Sequence, residues 1–254
     1  MLKDTVRVIG LALVLLAAVS ATGCAKSTSR VLVEELELCS ATALSVSNPF
    51  GNVSISGAEL NNLNGIVTVK TETYVEVFSL FGLASPESYL EKVATQPVMN
   101  EEGRVEIQVA MAPRGLLDRL SARVVPHVNR VVEGPTLIST EASLQVGDLE
   151  LRNLPGDVQA SVSVGKLKMD APGGVWGRHD VAVDIGEVSY YVSPDSSFDY
   201  DFVVDLGKTE AQGVDLDINA GLVGARASGI VGPLHAPGEL RAKVKLGRIE
   251  VIAQ

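Results

Sequence analysis

Aromatic side chains are scarce in this sequence, 4% of 254 residues, so aromatics are not expected to dominate any core. No Lys/Arg cluster is interleaved with aromatics, and the formal net charge is −10 with a pI near 4.8. Such a chain repels phosphate backbones, which excludes nucleic acid as a partner. No phosphate-cradling Gly-Lys-Ser/Thr loop occurs. The serine-rich stretches CSATALSVS, ISTEAS and PDSS contain no nucleophile elbow. Nucleophilic and phosphoryl chemistry therefore have no foothold. The three histidines, His127, His179 and His235, stand in VVPHVNR, WGRHDVA and GPLHAPG. None has a His, Cys or carboxylate at metal-ligand spacing. Asp180, beside His179, would point the other way in an extended segment. All three read as solvated turn residues, and no catalytic residue, metal or cofactor is expected.

What the chain does have begins at its amino terminus. MLKDTVRVIGLALVLLAAVSATGC places Lys3 and Arg7 before an apolar run from Val8 to Ser20, followed by small residues and a cysteine. The run is short for a membrane span and suits an export signal. SATGC resembles the lipobox of bacterial lipoproteins, with Ala21 where Leu is more usual. That resemblance implies cleavage after residue 23 and acylation of Cys24 with a diacylglycerol and a further fatty chain such as palmitate. The alternative is an ordinary signal peptide that leaves Cys24 a free thiol. With Cys24 lipidated, Cys39 has no partner within the chain, and its strand-like setting ELELCSATALSV reads as a buried, inert thiol. No second helix-length apolar stretch follows. The expected organisation is a signal peptide over 1–23, a lipidated tether over 24–38 and a folded domain over 39–254.

That domain is written in repeats. LQVGDLEL, VSVGKLKM, VDIGEVSY, VDLGKTEA and VKLGRIEV each carry apolar or small residues three and one before a glycine and two and four after it. The glycines Gly147, Gly165, Gly186 and Gly207 are 18, 21 and 21 residues apart, and 40 more lead to Gly247. Weaker copies surround Gly51 and Gly65. At each glycine the alternation changes phase, which a straight strand cannot absorb. Periods near 20 residues belong to solenoids, in which each turn stacks on its neighbours. The expected fold is all-β: a single-stranded β-helix, or β-solenoid, of about 20 residues per turn. These glycines mark its corners, the apolar positions around them point inward, and one irregular turn lies near Gly221 or Gly224. A helical insertion is expected near 85–125. In SPESYLEKVATQ, Ser85 is a candidate N-cap, Pro86 suits the first helical position, and Tyr89, Leu90 and Val93 share a side. RGLLDRLSARVVPHVNRVV reads either as a second helix or as two further strands; the spacing of Leu116, Leu117 and Leu120 favours a turn or two of helix, which Pro126 breaks.

The early GNVSISG, the helix opening SPESYLEKV and the successive turns in VGDLELRNLPGDVQASVSVGKLKM together resemble the putative-adhesin family of bacterial β-solenoid domains. The resemblance covers roughly residues 39–254 and departs from the pattern over Gly221 to Pro237. It implies the solenoid fold and an adhesive role, and no set of functional residues.

Other features were weighed beside it. Asp215, Asp217 and Asn219 alternate in VDLDIN and so share one strand face. With Asp205 and Glu210 they are the candidate ligands for a calcium ion. Trp176 lies at a corner and reads as a packing residue rather than a sugar platform. Arg241, Lys243, Lys245 and Arg248 give the acidic chain a basic last turn. They are expected either to guard an open strand edge or to dock on an acidic partner or anionic headgroups. The reading as a whole is an exported, non-catalytic binding module. It is anchored by lipid in the bacterial cell membrane or outer membrane, and its partner is an envelope protein or polysaccharide. The alternatives are a carbohydrate-active or other envelope enzyme on a β-helix, or a calcium-dependent binder.

Overall fold

The computed structural model describes residues 24–37, 43–57, 66–79, 85–95, 97–99, 104–113, 122–134, 139–221, 223–232 and 238–254. The expected signal segment 1–23, Cys39, Gly65, Leu116, Leu117, Leu120 and His235 lie outside these residues. The chain forms two compact units. The larger comprises Val31–Glu72, Thr95–Val109 and Val128–Gln254; the smaller takes in the described residues up to Arg30 with those in Thr73–Ala94 and Ala110–His127.

The fold is all-β, with one mixed sheet of 14 strands among the described residues. Its long strands are β1 (Cys24–Glu37), β4 (Ile66–Ser79), β9 (Ala122–Gly134), β10 (Ser139–Arg152), β11 (Asp157–Ala171), β12 (Gly177–Val192), β13 (Phe198–Gln212) and β16 (Gly238–Ala253). Between them come β2 (Ala43–Phe50), β3 (Val53–Gly57), β5 (Val93–Ala94), β6 (Pro97–Met99), β7 (Val105–Gln108), β8 (Ala110–Met111), β14 (Ile218–Ala220) and β15 (Ala225–Val231). The segment expected as a tether is thus strand β1. The spatial order is β1-β4-β9-β3-β10-β11-β12-β16-β13-β15-β14, and β2 continues beside β10 on the β3 side.

From β10 to β13 the pairing is parallel and in register at the glycines: Gly147 opposes Gly165, Gly165 opposes Gly186, Gly186 opposes Gly247, and Gly247 opposes Gly207. Their φ angles lie between 138° and 145°, a region that side chains oppose. Space forbids a side chain as firmly as the torsion does. A Cβ on Gly165 would stand 1.9 Å from the Gly147 carbonyl oxygen, and one on Gly186 1.8 Å from that of Gly165. Gly51, at φ 116°, carries the same contact one strand earlier, since a Cβ on Gly147 would meet its carbonyl.

On either side of these glycines, aliphatic ladders fill the core. Leu144, Val162, Val183, Val244 and Val204 form one, and Leu149, Leu167, Val188 and Ile249 another, all nearly or fully buried. Four of the buried aromatics, Tyr190, Phe198, Tyr200 and Phe202, collect on β12 and β13. There Tyr190 stacks on Phe202 at 5.9 Å, and Tyr200 lies 5.4 Å from Phe202.

Strand β16 departs from a simple winding. The last strand in sequence lies between β12 and β13 in space, so it is not the edge that Lys243 and Lys245 were expected to guard. Charge gives the physical reason. Arg241 stands in register between Asp180 and Asp201, Lys245 reaches Asp184 at 2.7 Å, and Arg248 reaches Glu187 at 2.7 Å. Were β12 and β13 adjacent, Asp180 would face Asp201, and like charges directly opposed are destabilising. The expected irregular turn near Gly221 and Gly224 is instead antiparallel: β15 pairs with both β13 and β14.

Two of the buried polar side chains, Arg130 and His179, are ionisable. Arg130 shares parity with Val128 and Val132 and is buried with them. Its guanidinium donates to the carbonyls of Ser47 (3.3 Å), Ile107 (3.2 Å) and Gln108 (3.1 Å). Burial lowers its pKa to about 10, so it keeps its charge at neutral pH. His179, expected in a solvated turn, is buried within β12, where it opposes Val158 and Leu240.

In the smaller unit, helix α1 (Pro86–Leu90) starts after Ser85 with Pro86 in its first turn, and Tyr89, Leu90 and Val93 are buried. The Ser85 hydroxyl donates to the Glu87 carboxylate. Strands β5 and β8 pair antiparallel beside it, and Arg30 donates to the Val93 carbonyl at 3.0 Å. The second helical stretch was expected over residues that lie outside the described ones, with Pro126 breaking it. That proline sits inside β9, outside the part from Arg130 to Gly134 that pairs with β3, so no β3 carbonyl waits for its missing N–H. His127, half-buried in the same strand, lies 6.2 Å from the ring of Tyr74.

Replacing Gly165 or Gly186 by Ala should cost at least ~2 kcal/mol, from the positive φ and the carbonyl contact together. Lys166→Ala beside them should cost under about 0.5 kcal/mol. Denaturant midpoints measure the difference, and equal effects would show that the stack tolerates a Cβ. A pH prediction follows from His179. Burial depresses its pKa below the ordinary 6.5, outweighing the opposing pull of the Trp176, Gly156 and Leu154 backbone and of Asp157. The unfolded chain therefore takes up a proton that the folded chain refuses. Stability is full above pH 6.5 and falls as pH drops through that value, by at most ~1.4 kcal/mol per unit. Thermal melts of His179→Leu should lose this slope. Glu150 and Glu187, whose pKa values are lowered, contribute a separate loss only below about pH 4.5.

Candidate functional site

The corner built by the glycines also decides what lies outside it. Three residues before each glycine the side chain is buried, two and four after it the side chain points inward, and the residue immediately before it points out. The apolar residue at that place was expected to face the core. It does not, because the backbone turns one residue earlier than the alternation suggests. Val146, Val164, Ile185, Leu246 and Leu206 are between 42% and 49% exposed, and they oppose one another in register across β10, β11, β12, β16 and β13. Phe50 continues the row on β2, opposite Val146.

Val164 and Ile185 of the row line a shallow trough of about 890 Å³ floored by the glycine backbone. Its far rim carries the residues that follow the glycines: Asp148, Lys166, Glu187, Arg248 and Lys208. Glu187 is held in a network. Its own burial pushes the carboxyl up, but hydrogen bonds from Arg248 and Ser189 and the charges of Arg248 and Lys166 outweigh it, and the pKa is lowered. Arg248 also approaches Glu210 and Glu250, at 4.0 and 3.9 Å. The Arg248 pKa is raised, chiefly by its hydrogen bond to Glu187.

A second, polar groove of about 420 Å³ crosses the first halves of the same strands, lined by Glu141, Asp180, Asp201, Arg241 and Lys243 among others. Ion pairs tie up most of its charges: Arg178 with Asp180 at 2.9 Å, Arg241 with Glu239 at 2.6 Å, and Arg104 with Glu141 at 3.1 Å.

The candidates from the sequence are placed as follows. Cys24 is the first residue of β1. Gly51, Gly147, Gly165, Gly186, Gly207 and Gly247 all have positive φ and stack on one another. Asp215, Asp217 and Asn219 share an exposed face, with Leu216 buried between the two aspartates. Among the described residues no three His, Cys, Asp or Glu side chains gather closely enough to hold a metal ion. Trp176, expected to pack, is half exposed, and its indole N–H donates to the Gly173 carbonyl at 3.0 Å.

These features define a class of all-β protein whose parallel, in-register strands bend at a shared glycine and leave an aliphatic row outside the bend. Among solved structures, the chain is similar to a putative cell adhesion protein from Clostridium sporogenes. The TM-score is 0.57 at 14% identity, over 89% of this chain and 100% of that one. At that identity the likeness bears on the fold alone. Putative adhesins from Bacteroides fragilis (TM-score 0.33, 9% identity, 87% of this chain and 97% of that one) and Parabacteroides distasonis (0.24, 6%, 87% and 97%) are more distant. No protein-family model matches the chain, and no curated protein does.

Proposed function

We propose that the chain is an exported, lipid-anchored module of the bacterial cell envelope that binds without catalysis, as an adhesin-like β-solenoid. The observation that carries the binding role is the exposed row Val146, Val164, Ile185, Leu246 and Leu206. Soluble proteins seldom leave a contiguous aliphatic strip in water unless something covers it. Covering these five half-exposed side chains contributes on the order of 1 kcal/mol each. The fold shared with the Clostridium sporogenes protein supports the adhesive reading.

Chain reach supports the solenoid winding. Strand β10 has 14 residues, roughly 45 Å if straight. Yet Asp157, which pairs with the first residue of β10, follows Arg152 by only five positions, a span of at most about 18 Å. Each strand therefore curls back toward its own start and serves as most of one turn. The anchor rests on the apolar start and the lipobox-like SATGC. Acylated there, the domain would meet the membrane directly through β1, since two or three chains suffice for stable attachment.

The polar groove favours a second reading, an envelope enzyme acting on carbohydrate, because it brings Glu141, Asp180 and Asp201 beside Arg241 and Lys243. The engagement of Glu141, Asp180 and Arg241 by Arg104, Arg178 and Glu239 weighs against it.

Cell fractionation tests the anchor: the wild type should partition with membranes and carry acyl mass on Cys24, and Cys24→Ala should be lost from them. A soluble, unacylated wild type would defeat that half of the proposal. For the binding half, the purified chain from residue 24 should be retained on envelope fragments of its own cells, and Ile185→Asp should reduce retention roughly tenfold. Retention indifferent to Ile185→Asp and Leu246→Asp would mean that the row is not the binding surface. Hydrolysis of envelope polysaccharide that disappears in Asp180→Asn or Asp201→Asn would replace it with the enzyme reading.

A further inference from the structure

The residues after the glycines follow a charge order that the row itself does not require. In spatial order they are Asp148, Lys166, Glu187, Arg248 and Lys208, the signs running negative, positive, negative, positive, positive. The first four positions are self-complementary when read backwards. We propose that a second copy of this chain docks on the row, antiparallel, about a two-fold axis that passes between β11 and β12. The proposal deepens the reading of the row as a binding surface and rests on it.

The geometry follows from symmetry. Two identical faces laid together by a two-fold axis along the strands reverse the order of the strands and keep their direction. Val164 then meets Ile185 of the other copy, and Val146 meets Leu246. On the flank, Lys166 meets Glu187 and Asp148 meets Arg248, each contact occurring twice. Lys208 falls outside the overlap. The other face-to-face arrangement has its axis along the row. It sets the residues two before the glycines against those one after, so Asp184 meets Glu187 and Lys245 meets Arg248. That places like charges together on two strands and opposite charges on one, Asp205 with Lys208, a balance that opposes association.

The Lys166 side chain is 68% exposed and its ion pair with Glu187 of its own chain is long, 4.0 Å, so it can turn to a second copy. The central side chains Val164 and Ile185 are 43% and 49% exposed, so each has surface left to bury. A face of this size is small against a standard interface, and a dimer of micromolar or weaker affinity is expected. Tethering to one surface would raise its occupancy through effective concentration.

The test uses the chain from residue 24 with Cys24→Ser, followed by sedimentation equilibrium against protein concentration. The wild type should form dimers that weaken with added salt, as complementary charge requires. Lys166→Glu and Glu187→Lys should each weaken self-association roughly tenfold, since each opposes like charges twice. A one-to-one mixture of the two variants should dimerise again, because the glutamates of one then face the lysines of the other. Circular dichroism melts check folding. Val164→Asp, a change on the exposed row, supplies an independent variant that should be monomeric. A wild type that stays monomeric to about 1 mM overturns the proposal. So does a mixture that associates no better than its components, or a dimer indifferent to Val164→Asp. If the wild type is monomeric while Ile185→Asp still loses envelope retention, the second copy is the wrong partner and the binding surface stands. If retention ignores both row substitutions and no dimer forms, the surface reading fails as well.

Discussion

At the stacked glycines each carbonyl lies against the Cα of the next strand with no room for a methyl group. This one contact has two consequences at once. It fixes the register of the parallel strands, because slipping by one residue would drive a side chain into the carbonyl. It also fixes the bend at the same height in every strand, so the aliphatic residues on either side of it stack into continuous ladders rather than scattering. The core is therefore a result of the corner. Leu149, Leu167, Val188 and Ile249 oppose one another because Gly147, Gly165, Gly186 and Gly247 do.

The same bend accounts for what remains outside. A strand reversing its inward face across a glycine must have a stretch where consecutive side chains point away from the core, and here that stretch includes the residue just before the glycine. Because it is aliphatic in five strands, and the strands are in register, the exposed residues form a row instead of isolated points. The neighbours shield part of each side chain, and near half of each still meets water.

Much of this was legible in the sequence, and the misses have definite physical causes. The phase change pointed to Gly51, Gly147, Gly165, Gly186, Gly207 and Gly247, which all have positive φ, and Ser85-Pro86 pointed to the start of α1. Alternation alone placed Val146, Val164, Ile185, Leu206 and Leu246 inside, because they share parity with the buried residues three before the glycine. Only the backbone shows that the turn precedes them. His179 went the other way: its parity with Val181 placed it inward, and residue type was given more weight than parity. Arg130, in parity with Val128 and Val132, is buried by the same rule. Trp176 was expected to pack because large rings usually do, and a loop leaves it half exposed. The place of β16 was hidden by sequence order, since nothing in a period of about 20 residues says that the last strand inserts before the penultimate long one.

Charge did carry that information. The outward residues of β12 and β13 include Asp180, Asp184, Asp201 and Asp205, whereas those of β16 include Arg241, Lys243 and Lys245. Stacked in sequence order, two acidic strands would lie side by side and the basic strand would face one of them alone. Inserting β16 gives Arg241 an aspartate on each side. The long excursion through β14 and β15 lets the chain reach that slot, while the link from β12 to β13, residues 193–197, steps over it. A basic strand between acidic ones also sets the signs on the trough rim, because Glu187 on β12 and Arg248 on β16 are neighbours there. Strand order inside the sheet and the alternation of charge along its outer face thus have one origin, the placement of a cationic strand where its neighbours are anionic.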